Sequence, residues 1–162
     1  MCQMTRAVAL LVGAGIACAL AGAASPASDR VGASRFTCLA TSVRGDVVRA
    51  GPFTGGIDPD YDVVNGRFRL HVGPWRDRSI GLTQKIPWFL PQRYRVGPSL
   101  TVRGTRLAPP GRTFTDSLQE ASSDSPDHVF PSAFAPPTAG CWRLSFKTGR
   151  TTGSLVVMVR NG

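Results

Sequence analysis

From position 35 onward, short runs of alternating apolar and polar residues are broken by turn formers roughly every 8–15 positions. A period of two sends successive side chains to opposite faces of a strand, so each run has one side to bury and one to leave wet. Many short runs at this spacing predict an antiparallel sandwich or barrel. Residues 35–41 form the first predicted strand, with Phe36, Cys38 and Ala40 on one side. A weak stretch at 46–49 ends in Gly51-Pro52, and 54–59 reads as turn. Further strands are expected at 80–84, 86–90, 99–103 and 112–118, with a Ser/Asp-rich loop at 121–127. A closing hairpin pairs 143–147 with 154–160 across 148–153 and faces Leu155, Val157 and Val159 inward.

The clearest local unit is 61–72. Asn65-Gly66 stands between alternating apolar residues, and both positions tolerate positive φ, which a two-residue hairpin turn requires. That turn pairs Val64 with Arg67, Val63 with Phe68, Asp62 with Arg69, Tyr61 with Leu70 and Asp60 with His71. Tyr61, Val63, Phe68 and Leu70 then make a core face, and Asp60, Asp62, Arg67, Arg69 and His71 a wet one.

Composition narrows the class. All 13 Pro and 15 of the 18 Gly follow residue 24, too many helix breakers for a bundle. Glu120 is the only Glu, and Lys85 and Lys147 are the only Lys, so surface helix formers are scarce as well. A chain of 162 residues suits one domain and leaves no room for a large α/β enzyme. With 18% charged and 42% hydrophobic residues it is neither acidic disorder nor a multi-span membrane protein.

Residues 1–24 read as a signal peptide. Arg6 gives a positive n-region, 7–24 is an uncharged run, and Ala21-Gly22-Ala23 fits the small-x-small cleavage pattern before Ser25-Pro26. An uncleaved anchor is one alternative, since the run of 18 residues approaches spanning length, and 7–24 would then hold the protein at the membrane. A lipoprotein is another, because Gly15-Ile16-Ala17-Cys18 loosely resembles a lipobox. Residues 25–34 read as a disordered leader, and 35–162 as the domain. Export to an oxidising compartment leaves Cys38 and Cys141 as the thiols of the mature chain and suggests one disulfide. Alternation objects to it. Trp142, Leu144 and Phe146 share the apolar face, which puts Cys141 with the polar set unless a bulge at Gly140 re-aims it.

The C-terminal half carries Lys85-Ile86-Pro87-Trp88-Phe89, then Leu100-Thr101-Val102-Arg103-Gly104-Thr105-Arg106-Leu107 and Phe130-Pro131-Ser132. Pro136-Pro137-Thr138-Ala139-Gly140-Cys141-Trp142-Arg143-Leu144 and Ser154-Leu155-Val156-Val157-Met158-Val159 follow. In these residues the chain resembles an uncharacterised family of secreted or envelope-anchored bacterial proteins with a Gly-Cys-Trp strand motif. The resemblance implies an immunoglobulin-like sandwich and supplies no catalytic residues. Arg143 and Ala108 stand where the family pattern often has acids, so a function resting on either acid does not carry over. Read from the residues alone, 137–140 is a corner between sheets and Trp142 a core anchor.

Charge exceeds ordinary expectation. The formal net charge is +9, and nine basic residues with one acid, Asp77, lie between Arg67 and Arg106. Phe68, Trp75, Trp88, Phe89 and Tyr94 are interleaved. In a cytosolic chain this pattern would point to nucleic acid. Export turns it towards anionic lipid headgroups, wall polymers or an acidic protein partner. A solvated basic face with an Arg excess set by codon bias is the plain alternative. The expected binding residues are Arg67, Arg69, Arg76, Arg78, Lys85, Trp88, Arg93, Arg95, Arg103 and Arg106. Trp88-Phe89-Leu90, between Pro87 and Pro91, is either a buried strand end or an exposed contact tip.

Other chemistries find less support. Asp58-Pro59-Asp60-Tyr61-Asp62 opens like an EF-hand loop, but Val63 stands where the loop needs Gly and Arg69 where it needs a bidentate Glu. His71 and His128 are the only histidines, too far from each other and from the cysteines for a short-spaced metal motif. Asp124, Asp127 and His128 lack a nucleophile elbow, and no phosphate or dinucleotide glycine fingerprint is present. The expectation is therefore an all-β, immunoglobulin-like antiparallel sandwich that is secreted or held in the extracytoplasmic envelope. It is expected to bind without catalysis, cofactor or metal. A structural accessory domain packing through 88–90 and a small hydrolase using His71 or His128 are the alternatives.

Overall fold

A computed structural model describes residues 37–57, 62–73, 85–108 and 110–161. Their strands are β1 (Val47–Ala50), β2 (Phe53–Gly56), β3 (Val63–Val64), β4 (Arg67–His71) and β5 (Ile86–Pro91). They continue with β6 (Leu100–Ala108), β7 (Pro110–Leu118), β8 (Asp127–Ser132), β9 (Gly140–Thr148) and β10 (Thr151–Arg160). One sheet has the order β1-β2-β5-β8 and the other β3-β4-β10-β9-β6-β7. Every ladder is antiparallel except β4 with β10, which is parallel. The all-β expectation holds.

The two sheets meet through aromatic side chains. Phe146 on β9 lies 4.4 Å from the Trp88 ring on β5 and 5.6 Å from Phe53 on β2, centroid to centroid. Phe134, on the link from β8 to β9, closes the cluster at 6.1 Å from Trp88. Trp88 is fully buried and still satisfies its indole N–H, which donates to Ser132 Oγ at 3.2 Å. Ser132 Oγ–H in turn donates to the Ile86 carbonyl at 2.9 Å. A buried indole with its polar edge paired contributes both apolar burial and a fixed orientation. The contact-tip alternative for 88–90 is thereby corrected, since Trp88 and Leu90 have no exposed surface. Trp142 is buried as expected, its N–H donating to Thr138 O at 3.0 Å across the corner between sheets.

The Asn65-Gly66 turn forms, with φ of 51° and 68°, and sets the register Val63↔Phe68 and Val64↔Arg67. Phe68 and Leu70 face the core. The ladder ends at Val63, and Asp62 is buried instead of lying on the wet face. Asp60 and Tyr61 fall outside the described residues, as do 80–84, Arg76, Arg78 and everything before 37.

Two expectations about elements need correction, and one further strand was not expected. Residues 53–56 are strand β2 and not turn, because Gly55 leaves room for the Trp88 ring, which a Cβ there would meet at 2.8 Å. Residues 127–132 form β8, an edge strand that tolerates Pro131. Residues 37–41 are not a strand but a strap. Thr41 inserts between β4 and β10: its N–H donates to Val156 O at 2.7 Å, and its carbonyl accepts from Phe68 N–H at 2.9 Å. Its Oγ1 also accepts from Val156 N–H at 2.9 Å. The β4–β10 ladder begins only at Met158, so Thr41 satisfies backbone groups that would otherwise face a gap.

Cys38 and Cys141 are disulfide-bonded, with Cα atoms 5.5 Å apart. Alternation survives without the bulge at Gly140. Cys141 points with Arg143 to the outer face of the six-stranded sheet, and the strap crosses that face to meet it. The register shift lies instead in β6, between Arg106 and Ala108.

Candidate functional site

Alternation along β4, β10, β9, β6 and β7 assigns two faces to the six-stranded sheet. Phe68, Leu70, Leu155, Val157, Trp142, Leu144, Phe146 and Val102 face the core. The opposite parity places Arg67, Arg69, Arg103, Arg143, Lys147 and Arg160 on the outer face. Thr101, Thr105, Ser145, Ser154 and Thr115 stand between them by register. The outward positions of β4, β10, β9, β6 and β7 hold no Asp or Glu, while Asp62, next to β3 and opposite Arg69 by register, is buried. A sheet face with six cations and many hydroxyls is an electropositive surface suited to an extended anion.

Of the expected binding residues, Arg67, Arg69 and Arg103 belong to this face. Arg67 also steadies the strap, its Nη1 donating to Ala40 O at 2.6 Å. Arg106 is half-buried and lies over Gly140, where an added Cβ would meet its Nε at 2.8 Å. Lys85, Arg93 and Arg95 are exposed near the ends of β5 and in the loop after it. Trp88 is in the core, and Arg76 and Arg78 are outside the described residues. The 67–106 segment therefore does not make one surface. Arg143, Lys147 and Arg160, beyond it in sequence, complete the face. Their signal was available in the i, i+2 pattern of the closing hairpin.

A second basic feature lies where the ends of the two sheets meet. Arg49 on β1, Arg93 after β5 and Arg150 in the β9–β10 turn line an open cleft of about 640 Å³, with Tyr94, Thr54 and Thr151. No carboxylate is among its described lining residues. Arg93 stacks 5.0 Å above the Tyr94 ring, and Arg49 Nη1 donates to Thr54 Oγ1 at 3.4 Å. Both contacts orient a guanidinium without neutralising it.

The histidines sit apart, His71 on β4 and His128 on β8, in different sheets. His128 Nδ1 is 2.7 Å from Glu120 Oε1. Burial, and then the Arg69 guanidinium beside it, push the His71 pKa below its ordinary 6.5. Among the described residues no group of three or more His, Cys, Asp or Glu side chains could hold a metal ion. No protein-family model, curated protein or solved structure matches the chain.

Proposed function

We propose that this chain is an exported, non-catalytic envelope protein that binds an anionic envelope component through the outer face of its six-stranded sheet. Anionic lipid headgroups and wall polymers are the partners its chemistry fits, with an acidic protein as the third. The observation that carries the reading is the set of six cations on that face, with no Asp or Glu at the outward positions of β4, β6, β7, β9 and β10. Exposed cations on a sheet face attract anions over about 8–10 Å at moderate ionic strength, and added salt screens that attraction. The disulfide fits an oxidising compartment, and the leader at 1–24 agrees with it. We read the two packed sheets as immunoglobulin-like, in keeping with the resemblance in the C-terminal half.

Flotation of the mature protein with anionic and neutral vesicles, and pull-down on isolated wall polymer, test the reading at low and high salt. Capture by an anionic partner at low salt and release at high salt are expected. Arg103→Gln with Arg143→Gln should weaken capture. Absence of salt-sensitive binding to every anionic component overturns the proposal.

A further inference from the structure

We propose that the cleft between Arg49, Arg93 and Arg150 is a separate site for a phosphate-bearing ligand with more than one negative charge. It goes beyond the outer-face reading but shares its premise that the partner is anionic. The three arginines are far apart in sequence and come from different sheets, so the fold itself assembles them. Gly153 on β10 is the residue that makes this assembly possible. A Cβ there would strike the Ala50 carbonyl, and one on Gly51 would meet Gly153 Cα at 3.2 Å. Without side chains at these points the β1–β2 turn rests directly on β10, which carries Arg49 to Arg150. The loop after β5 is fixed to the end of β9, beside the turn that carries Arg150, with Gly97 N–H donating to Thr148 Oγ1 at 2.8 Å. Tyr94 N–H donates to Pro91 O at 2.9 Å and holds the start of that loop.

The result is a pre-set concentration of like charge, which favours an anion supplied from outside. Guanidinium forks match phosphate oxygens bidentately, and three of them offer more donors than a single carboxylate can accept. The hydroxyls of Thr54, Thr151 and Tyr94 add donors that can meet ester oxygens. Size also discriminates. The cleft falls in the range of about 300–1,000 Å³ usual for organic ligands, far above the roughly 30 Å³ share of a water molecule. The ligand is thus a phosphate carried on a larger body, such as a phosphorylated glycan unit or a lipid headgroup. Another basic hollow, beside Cys38 with Arg67, Arg69 and Arg160, is smaller at about 220 Å³. There Arg67 is already engaged with the strap.

The test uses the mature, oxidised protein and inorganic tripolyphosphate, with sodium chloride of matched ionic strength and citrate as comparison anions. Calorimetry should show tripolyphosphate binding that citrate matches only at much higher concentration. Arg49→Gln, Arg93→Gln and Arg150→Gln should each weaken it about 10-fold or more, the scale of a lost charge-assisted hydrogen bond. Arg103→Gln and Arg143→Gln on the outer face should leave it within about 2-fold, since neither residue lines the cleft. All three cleft arginines are exposed, and an unchanged melting temperature verifies folding of each variant. Phosphatidylglycerol vesicles that lose capture with the cleft variants identify the headgroup as the phosphate source. Tripolyphosphate binding without such vesicle dependence identifies a soluble or polymeric phosphate. Equal weakening by cleft and outer-face variants, or equal binding of citrate, overturns the site while leaving the outer-face proposal intact. Failure of the wild type to bind any anion removes both.

Discussion

His71 shows how one side chain reports its surroundings. It stands on β4 two residues after Arg69, half-buried at the parallel junction with β10, where it pairs in register with Arg160. Burial and the adjacent cation disfavour its protonated form in the fold, while the unfolded chain titrates at the ordinary value of 6.5. The unfolded state therefore binds more protons as pH falls through that value, and stability declines with it. Denaturant unfolding measured between about pH 7 and pH 5 should show a falling midpoint, and His71→Gln should flatten that part of the profile. A wild-type midpoint constant over this window would show that His71 is equally at ease in both states.

At the scale of elements, the strap sets local stability. It closes a covalent loop with a sequence separation of 103, and it supplies backbone partners where β4 and β10 diverge. Reduction, or Cys38→Ser with Cys141→Ser, should lower unfolding free energy by about 2–5 kcal/mol and speed amide exchange at Thr41 and Val156. Coincident unfolding curves with and without reductant would contradict this role. The strap was half legible in sequence: the cysteine pairing followed from the expected export, but 35–41 read as a strand because its apolar spacing imitates one. The Asn65-Gly66 hairpin and the closing hairpin were legible because local turn chemistry and alternation agree there. The closing turn is tighter than expected, only Gly149 and Arg150. β2 and β8 were hidden for tertiary reasons. Gly55-Gly56 imitates a turn until the Trp88 ring is laid over it, and Pro131 argues against a strand until β8 is known to be an edge.

Across the whole molecule, charge was counted correctly and placed incorrectly. A window along the chain found the basic excess at 67–106, yet surfaces are drawn by parity and topology. Arg103 and Arg143 belong to one face because β6 lies beside β9, and Arg49 and Arg150 line one cleft because two turns abut. Neither juxtaposition exists in one dimension. The expected leader and the redox state are also properties of the whole chain, and one measurement reads both. Intact mass of protein recovered from the medium or envelope should correspond to loss of residues up to about Ala23 or Ala24, and reduction should add two hydrogens for the Cys38–Cys141 bond. A mass retaining the leader, or one unchanged by reductant, would contradict the corresponding assignment.

β10 occupies the middle of the larger sheet, between β4 and β9. Until residues 151–160 arrive, β3–β4 and β9–β6–β7 are separate fragments with no ladder in common, and Thr41 has no Val156 to bond. Long-range pairing of this kind delays the cooperative step until residues 151–160 are available. A chain emerging from a ribosome thus stays open until β10 has been made, the condition in which it can still be threaded through a narrow channel. The same lateness leaves its aromatic residues uncovered for longer, and the dense arginines supply the mutual repulsion that keeps such open chains from clumping.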